Sequence, residues 1–407
     1  MEFIPSKKIL EKYADVLVNF ALNSGKGIRK GDVVRVSAHE SAKPLFHAVC
    51  NAIVDSGGHV ISHYLPDETR HSSTSRHFFE CAREHQIDFF PTKHLRGLAQ
   101  QIDHTISIIS DTDPALLRGI NPKRIMRHGV AHKKFRDWLV EKERKGQFTW
   151  TLGLYGTPRM AKEAGMTIRQ YWEQIVRACF LNEKNPIVKW KSICKRLEID
   201  RRKLNALAPR TEKLHIKGKD VDLWVTFGKQ RQWLGGSGRN IPSFELFTSP
   251  DKRGTEGWVR FNQPLYRYGN KITGIELWFK NGRVVKSKAK QNEKVLQAMI
   301  ATPGADMIGE FSLTDRRFSY ITKFMADTLY DENMGGPEGN THIALGMSYK
   351  EAFSGDVTKL SNKQAIALGF NDSSVHTDIV STTKRTVTAH MIDGTKRVIY
   401  RNGMFVL

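Results

Sequence analysis

A change of texture near residue 207 is what most restricts how this chain can fold. Before it, helix-like and strand-like segments alternate. Residues 7–24 (KKILEKYADVLVNFALNS) space Ile9, Leu10, Tyr13, Val16, Leu17 and Phe20 along one helical face. GKGIRKGDVVRVSAHE reads as a glycine-marked turn into a strand. AKPLFHAVCNAIVDSG reads as a helix stopped by Gly57 and Gly58, and HVISHYLP as the next strand. HTISIISDTDPALL and FTWTLGLYGTP repeat the strand signal. Such alternation predicts a parallel sheet covered by helices, an α/β domain over 1–207. Its last part, from Thr167, is helical and is punctuated by Asn185-Pro186.

After residue 207 the pattern changes to strict alternation in LHIKGKDVDLWVTF, GWVRFNQPLYRYG, ITGIELWFKNGRVVKSKAK and TKRVIYRNGMFVL. Asn281-Gly282 and Asn402-Gly403 supply hairpin turns. NEKVLQAMI and SNKQAIALG are helical insertions. The expectation for 208–407 is an α+β domain rich in antiparallel strands. A chain of 407 residues exceeds one ordinary core, which agrees with two domains.

Composition removes some function classes. Hydrophobic residues make up 40%, enough for packed cores. No apolar run reaches the roughly 18 residues of a membrane helix, so no membrane partner is expected. The N-terminal stretch lacks the features of a signal peptide, so a cytoplasmic protein is the simple expectation. Cys50, Cys81, Cys179 and Cys194 lie far apart without CxxC spacing. Free thiols are expected, with Cys50 and Cys179 inside apolar helix patterns. The net charge is +22, with clusters at Lys133, Lys134, Arg136 and at Lys195, Arg196, Arg201, Arg202, Lys203. Such a field attracts nucleic acid. No binding-module signature accompanies it, so a generally basic solvated surface is the expectation and nucleic acid is not.

The chemistry is carried by separated acids and imidazoles: Glu245 in SFELFTSP, Glu310 in MIGEFSL, His342 in GNTHIALG, and His376 with Asp378 in SSVHTDIV. Three carboxylates and two histidines are a donor set for two divalent cations. His376 and Asp378, two apart on a strand, share a face. Gly309 permits close backbone approach beside Glu310. Each residue alone has a bland reading. An isolated glutamate is ordinarily a surface charge, and His342 beside Ile343 and Leu345 suits a half-buried histidine. The first half is rich in histidine, and His128 and His132 stand four apart. No HExxH glutamate lies between them, and a solvated or stacking role is expected there.

The joint order of these motifs changes the weighing. LEKYADVLVNFALN, LYGTPRMAKEAGMT, YWEQIVRACFLNEKNPIVKWK, ELFTSPDKRGTEGWVRFNQPL, GEFSL, THIALGMSY and SSVHTDIV together resemble the M29 family of metal-dependent aminopeptidases. The resemblance runs over nearly the whole chain in order. It implies Glu245, Glu310, His342, His376 and Asp378 as ligands of two divalent metal ions, with Glu310 shared. Zinc or cobalt are foremost, and manganese or iron fit the same donors. It implies Tyr349 as the catalytic tyrosine, short peptides as substrates and a homodimer.

Two departures stand out. DENMGGPEGNTHIALG is longer and richer in glycine than the family's usual stretch, and it adds Glu338. Phe244 occupies the position before the ligand Glu245, where relatives tend to carry an acid. The general base stays open among Glu338, Glu332 or a ligand, and either glutamate could also contact substrate. The competing readings are a two-metal hydrolase of another amide or ester, and a basic nucleic-acid-associated protein.

Overall fold

Four parallel strands form where the sequence alternates with helices. A computed structural model describes residues 3–407, and the chain divides into two compact units. The first comprises residues up to Lys195 with Ser237–Ser243 and Met325–Leu329. Its strands are β1 (Val33–His39), β2 (His59–Leu65), β3 (His104–Ile109) and β4 (Thr149–Leu154). They lie in the order β2-β1-β3-β4, every pair parallel. Val34, Val36 and Ala38 alternate into the core of this unit, as do Ile106 and Ile108. Helix Lys7–Asn19 packs beneath β4. There Leu154 N–H donates to the Tyr13 hydroxyl at 2.8 Å, and Gly153 lets Leu17 approach closely.

Helix starts follow local chemistry. Thr167 and Gln170 form a reciprocal capping box opening helix Ile168–Ala178. Thr157 caps a helix that begins with Pro158. Helix Pro186–Leu207 ends where the texture changes, and the compact units divide inside it, between Lys195 and Arg196.

The second unit comprises Arg196–Gly236, Phe244–Phe324 and Tyr330–Leu407. Its strands in chain order are β5 (Thr211–Gly218), β6 (Val221–Thr226), β7 (Leu234–Gly235), β8 (Glu245–Thr248), β9 (Glu256–Arg260) and β10 (Leu265–Arg267). They continue as β11 (Asn270–Ile272), β12 (Glu276–Lys280), β13 (Arg283–Lys288), β14 (Ile308–Thr314) and β15 (Asn340–Gly346). The last are β16 (His376–Ser381), β17 (Arg385–Met391), β18 (Lys396–Arg401) and β19 (Met404–Phe405). Eight strands form one sheet in the order β13-β12-β9-β6-β5-β17-β18-β19. Five form another, β16-β15-β14-β8-β7, and β10-β11 pair alone. All these pairings are antiparallel, as the alternation predicts.

The Asn281-Gly282 and Asn402-Gly403 pairs have positive φ at both residues and close the hairpins β12–β13 and β18–β19. Tyr400 on β18 donates its hydroxyl to the Thr314 carbonyl on β14 at 2.8 Å, tying the two large sheets together. None of the four cysteines is in a disulfide. Cys179 is buried, whereas Cys50 is only half-buried, with burial pushing its thiol up to about 11. No helix among the described residues is long and apolar enough to cross a membrane.

Candidate metal centre

Every residue of β14 and β15 is buried, yet the two strands carry a glutamate and a histidine among their apolar side chains. Register explains how they meet. Glu310 pairs with Ala344 and Ser312 with His342 across β14–β15. Ala344 pairs with Asp378 and Gly346 with His376 across β15–β16. Thr314 pairs with Glu245 across β14–β8. Directly paired residues share a face, so the five predicted ligands stand on one face of one sheet. Ala344, paired with both Glu310 and Asp378, leaves space between them. Glu245 opens β8.

The functional atoms converge. His342 Nε2 lies 3.2 Å from Glu245 Oε2, 3.2 Å from Glu310 Oε1 and 3.8 Å from Asp378 Oδ1. His376 Nε2 lies 3.6 Å from Glu310 Oε2 and 3.6 Å from Asp378 Oδ1. Three overlapping trios bring ligand atoms within 4.8 Å of one another: Glu245/Glu310/His342, Glu310/His376/Asp378 and Glu332/His342/Asp378. Glu310 belongs to the first two.

The two open glutamates part company. Glu332 is buried inside the cluster, whereas Glu338 belongs to none of the trios. The Glu338 backbone instead lies against Gly403, in the β18–β19 turn. The glycine-rich approach to His342 is packed: Gly335 lies on Ser319, and Gly339 lies against the Tyr400 hydroxyl. Phe244 is fully buried, and its N–H donates to Asn333 Oδ1 at 2.7 Å.

Electrostatics test whether these residues suit cations. Burial, then the nearby Glu245 and Asp378 charges, push the Glu310 carboxyl up to about 7 against the pull of its hydrogen bond to His342. Burial, then Asp378 and Glu245, hold Glu332 well above the carboxylate range. Burial opposes charge on His342, but its bonds to Glu245 and Glu310 win and raise it. The cluster by itself therefore retains protons, as crowded buried acids must. His376 is more specific. Its Nδ1 lies 2.8 Å from the Met347 carbonyl, which can only accept, so Nδ1 carries the hydrogen. Nε2 is then the nitrogen left to act as a metal donor, and it faces the Glu310 and Asp378 carboxylates. The donor set fits divalent metal.

Other groups support the ligands. The Ser312 hydroxyl donates to Glu245 Oε2 at 2.6 Å. Tyr349, half-buried, packs edge-on to His376 with ring centroids 5.0 Å apart, and to Phe247 at 5.5 Å. Its N–H donates to Ser249 Oγ at 2.9 Å. Burial, reinforced by Glu310 and Asp378, holds the phenol well above its usual range. Sequence reading did not single out Ser312 or the Met347 carbonyl. An i,i+2 match of Ser312 to Glu310 was the one available signal for the serine.

A family model described as thermophilic metalloprotease (M29) matches residues 6–405. The chain belongs to the M29 metalloprotease family. Among similar M29 proteins, aminopeptidase T of Thermus thermophilus is 28% identical, over 98% of this chain and 99% of the relative. Aminopeptidase PepS of Streptococcus thermophilus is 27% identical over 98% of each. The solved structure of wild-type AmpT from Thermus thermophilus superposes with a TM-score of 0.81 at 26% identity, covering 98% of this chain and all of that one. The M29 fold therefore matches the predicted α/β and antiparallel α+β halves.

One supporting residue of this M29 chain is testable through stability. A Cβ on Gly309 would stand 2.3 Å from the Met347 carbonyl oxygen and 2.4 Å from that of Gly346. Gly309→Ala is expected to cost about 1–3 kcal/mol, because the backbone that fixes His376 must move. Urea denaturation checks this, and an unchanged midpoint would show that the contact relaxes freely.

At the other candidate cluster, the His128 and His132 rings lie 4.0 Å apart on helix Pro122–Arg144, beside Phe79 and Phe90. The two rings pack against one another at a tilt and edge-on to the phenylalanines, and no third ligand joins them among the described residues.

Proposed function

We propose that this protein is a metal-dependent aminopeptidase that removes N-terminal residues from short peptides. Its metal centre would comprise two divalent cations held by Glu245, Glu310, His342, His376 and Asp378, with Glu332 as a further donor. The observation that carries this reading is the convergence of all these side chains, with Glu310 common to two trios. Charge supports the count of two. Glu245, Glu310, Glu332 and Asp378 bring four negative charges when ionised, which two divalent cations balance in a buried site.

Cations in this pocket would lower the pKa of water toward neutrality and polarise the scissile carbonyl. The chain's own residues do the rest. The Ser312 hydroxyl holds Glu245 in orientation. The Met347 carbonyl fixes the His376 tautomer. Tyr349 keeps its proton, so its hydroxyl donates a hydrogen bond to the oxyanion of the tetrahedral transition state.

The test is hydrolysis of a panel of aminoacyl p-nitroanilides and of their N-acetylated counterparts. Turnover of the free amines is expected. It should be lost after dialysis against a chelator and restored by zinc, cobalt, manganese or iron. Chelator-insensitive turnover would remove the metal from the reading. Equal cleavage of the acetylated amides would make the enzyme a broader amide hydrolase.

A further inference from the structure

The M29 site leaves the net charge of +22 unused. The eight-stranded sheet offers a place for it. One face of this sheet is core: Leu214, Ile216, Leu223, Val225, Val259 and Leu277 are all buried. The other face is not. A single cross-strand row runs Lys286–Trp278–Trp258–Asp222–Lys217–Thr386–Arg401 over seven adjacent strands. At about 4.8 Å per strand the row is about 29 Å long. The next row sets Trp224 opposite His215. Their rings stack at 4.0 Å and 8°, with His390 edge-on to Trp224 at 4.7 Å.

Three half-buried tryptophans and two histidines on the side of a sheet away from its core are more aromatic surface than a solvated face needs. The charges around them are unequal. Each acid on this face already has a partner within the sheet. Asp222 lies 2.8 Å from His215 Nε2, Glu276 lies 2.7 Å from Arg260, and Glu256 accepts from the Asn281 N–H. Lys217, Lys286, Lys288 and Lys396 have no carboxylate within ion-pair distance among the described residues. Lys286 instead sits over the Trp278 ring at 4.6 Å.

We propose that this face binds single-stranded nucleic acid, with bases stacking on Trp224, Trp258 and Trp278 and phosphates meeting the lysines. Aromatic platforms on a sheet with a basic rim suit single strands, whose unpaired bases expose their π-faces. A duplex hides those faces, and an acidic protein would not need the row of tryptophans. The surface was invisible to motif reading because its residues come from six strands scattered over residues 217–396.

The experiment uses the full-length protein and fluorescein-labelled oligo-uridine and oligo-thymidine, read by fluorescence anisotropy. Binding is expected for both. It should weaken roughly 50-fold between 50 and 200 mM salt, as four phosphate contacts on a single strand require. Trp258→Ala and Trp278→Ala should each weaken it at least about 5-fold, and Trp278→Phe should restore most of the loss. Lys286→Glu should weaken binding and flatten the salt slope. Hydrolysis of aminoacyl amides should be unchanged in all of them, which separates this inference from the peptidase reading. Binding of RNA alone would narrow the ligand to RNA through its 2′-hydroxyls. The proposal falls if neither oligomer binds, if the tryptophan variants bind as well as the parent, or if duplex competes equally. It also falls if sedimentation shows a dimer that the tryptophan variants dissolve, since a second copy would then cover the face.

Discussion

Glu310→Gln is expected to abolish aminoacyl amide hydrolysis, by about a thousandfold or more, and to lower the bound metal below two equivalents. Glutamine keeps the volume but removes one of four carboxylates, the one that joins the Glu245/His342 trio to the His376/Asp378 trio. The same substitution makes a second, opposite prediction for the metal-free protein. The folded Glu310 carboxyl is raised from 4.5 to about 7, first by burial and then by Glu245 and Asp378. A carboxyl with a raised folded pKa binds more protons folded than unfolded between those values. Its contribution therefore falls as pH rises from about 4.5 to about 7. At pH 8 the metal-free parent carries this full burden, on the order of 3 kcal/mol. Glutamine has no proton to lose. After chelation at pH 8 the variant should be the more stable of the two, and with metal restored the order should reverse. Denaturation of both proteins, with and without chelator, at pH 5 and pH 8 measures the crossing. Full metal content with full activity in the variant would end the bridging role.

The crossing also clarifies why the ligands were readable and much of their setting was not. Glu310, His342 and Asp378 each read as bland alone, and they become legible because GEFSL, THIALG and SSVHTDIV are short local motifs that occur together in order along the chain. The β strands and the Asn-Gly turns are likewise local: alternation and positive-φ residues act over a few positions. Glu332 and Glu338 differ differently. Both lie in one glycine-rich stretch, and only the packing of that stretch against Ser319 and the Tyr400–Gly403 region decides which one faces the metal ligands. Ser312 and the Met347 carbonyl act through register, which is set by the whole sheet. The tryptophan face depends on strand order, with β9 inserted between β6 and β12. No short pattern in the chain encodes that order.

Tyr349→Phe is expected to lower kcat by about 10²–10³ while KM changes little and metal content stays at the parental level. The reasoning rests on what the substitution leaves intact. The ring stays edge-on to His376 and Phe247, at centroid distances of 5.0 and 5.5 Å, so packing around the ligand is preserved. The Tyr349 N–H to Ser249 bond is a backbone contact and also survives. What disappears is one hydroxyl, which burial and the surrounding carboxylates keep protonated through neutral and mildly alkaline pH. A protonated phenol gives most to an oxygen gaining negative charge and little to a ground-state carbonyl, hence an effect on kcat rather than on KM. The pH profile adds a check. Because the phenol's pKa is raised, its ionisation cannot cause a fall in kcat near pH 8–9, and the alkaline limb should be the same in parent and variant. A large rise in KM, or loss of metal, would instead make Tyr349 a packing or positioning residue for His376. A kcat within a few-fold of the parent would remove it from transition-state stabilisation altogether.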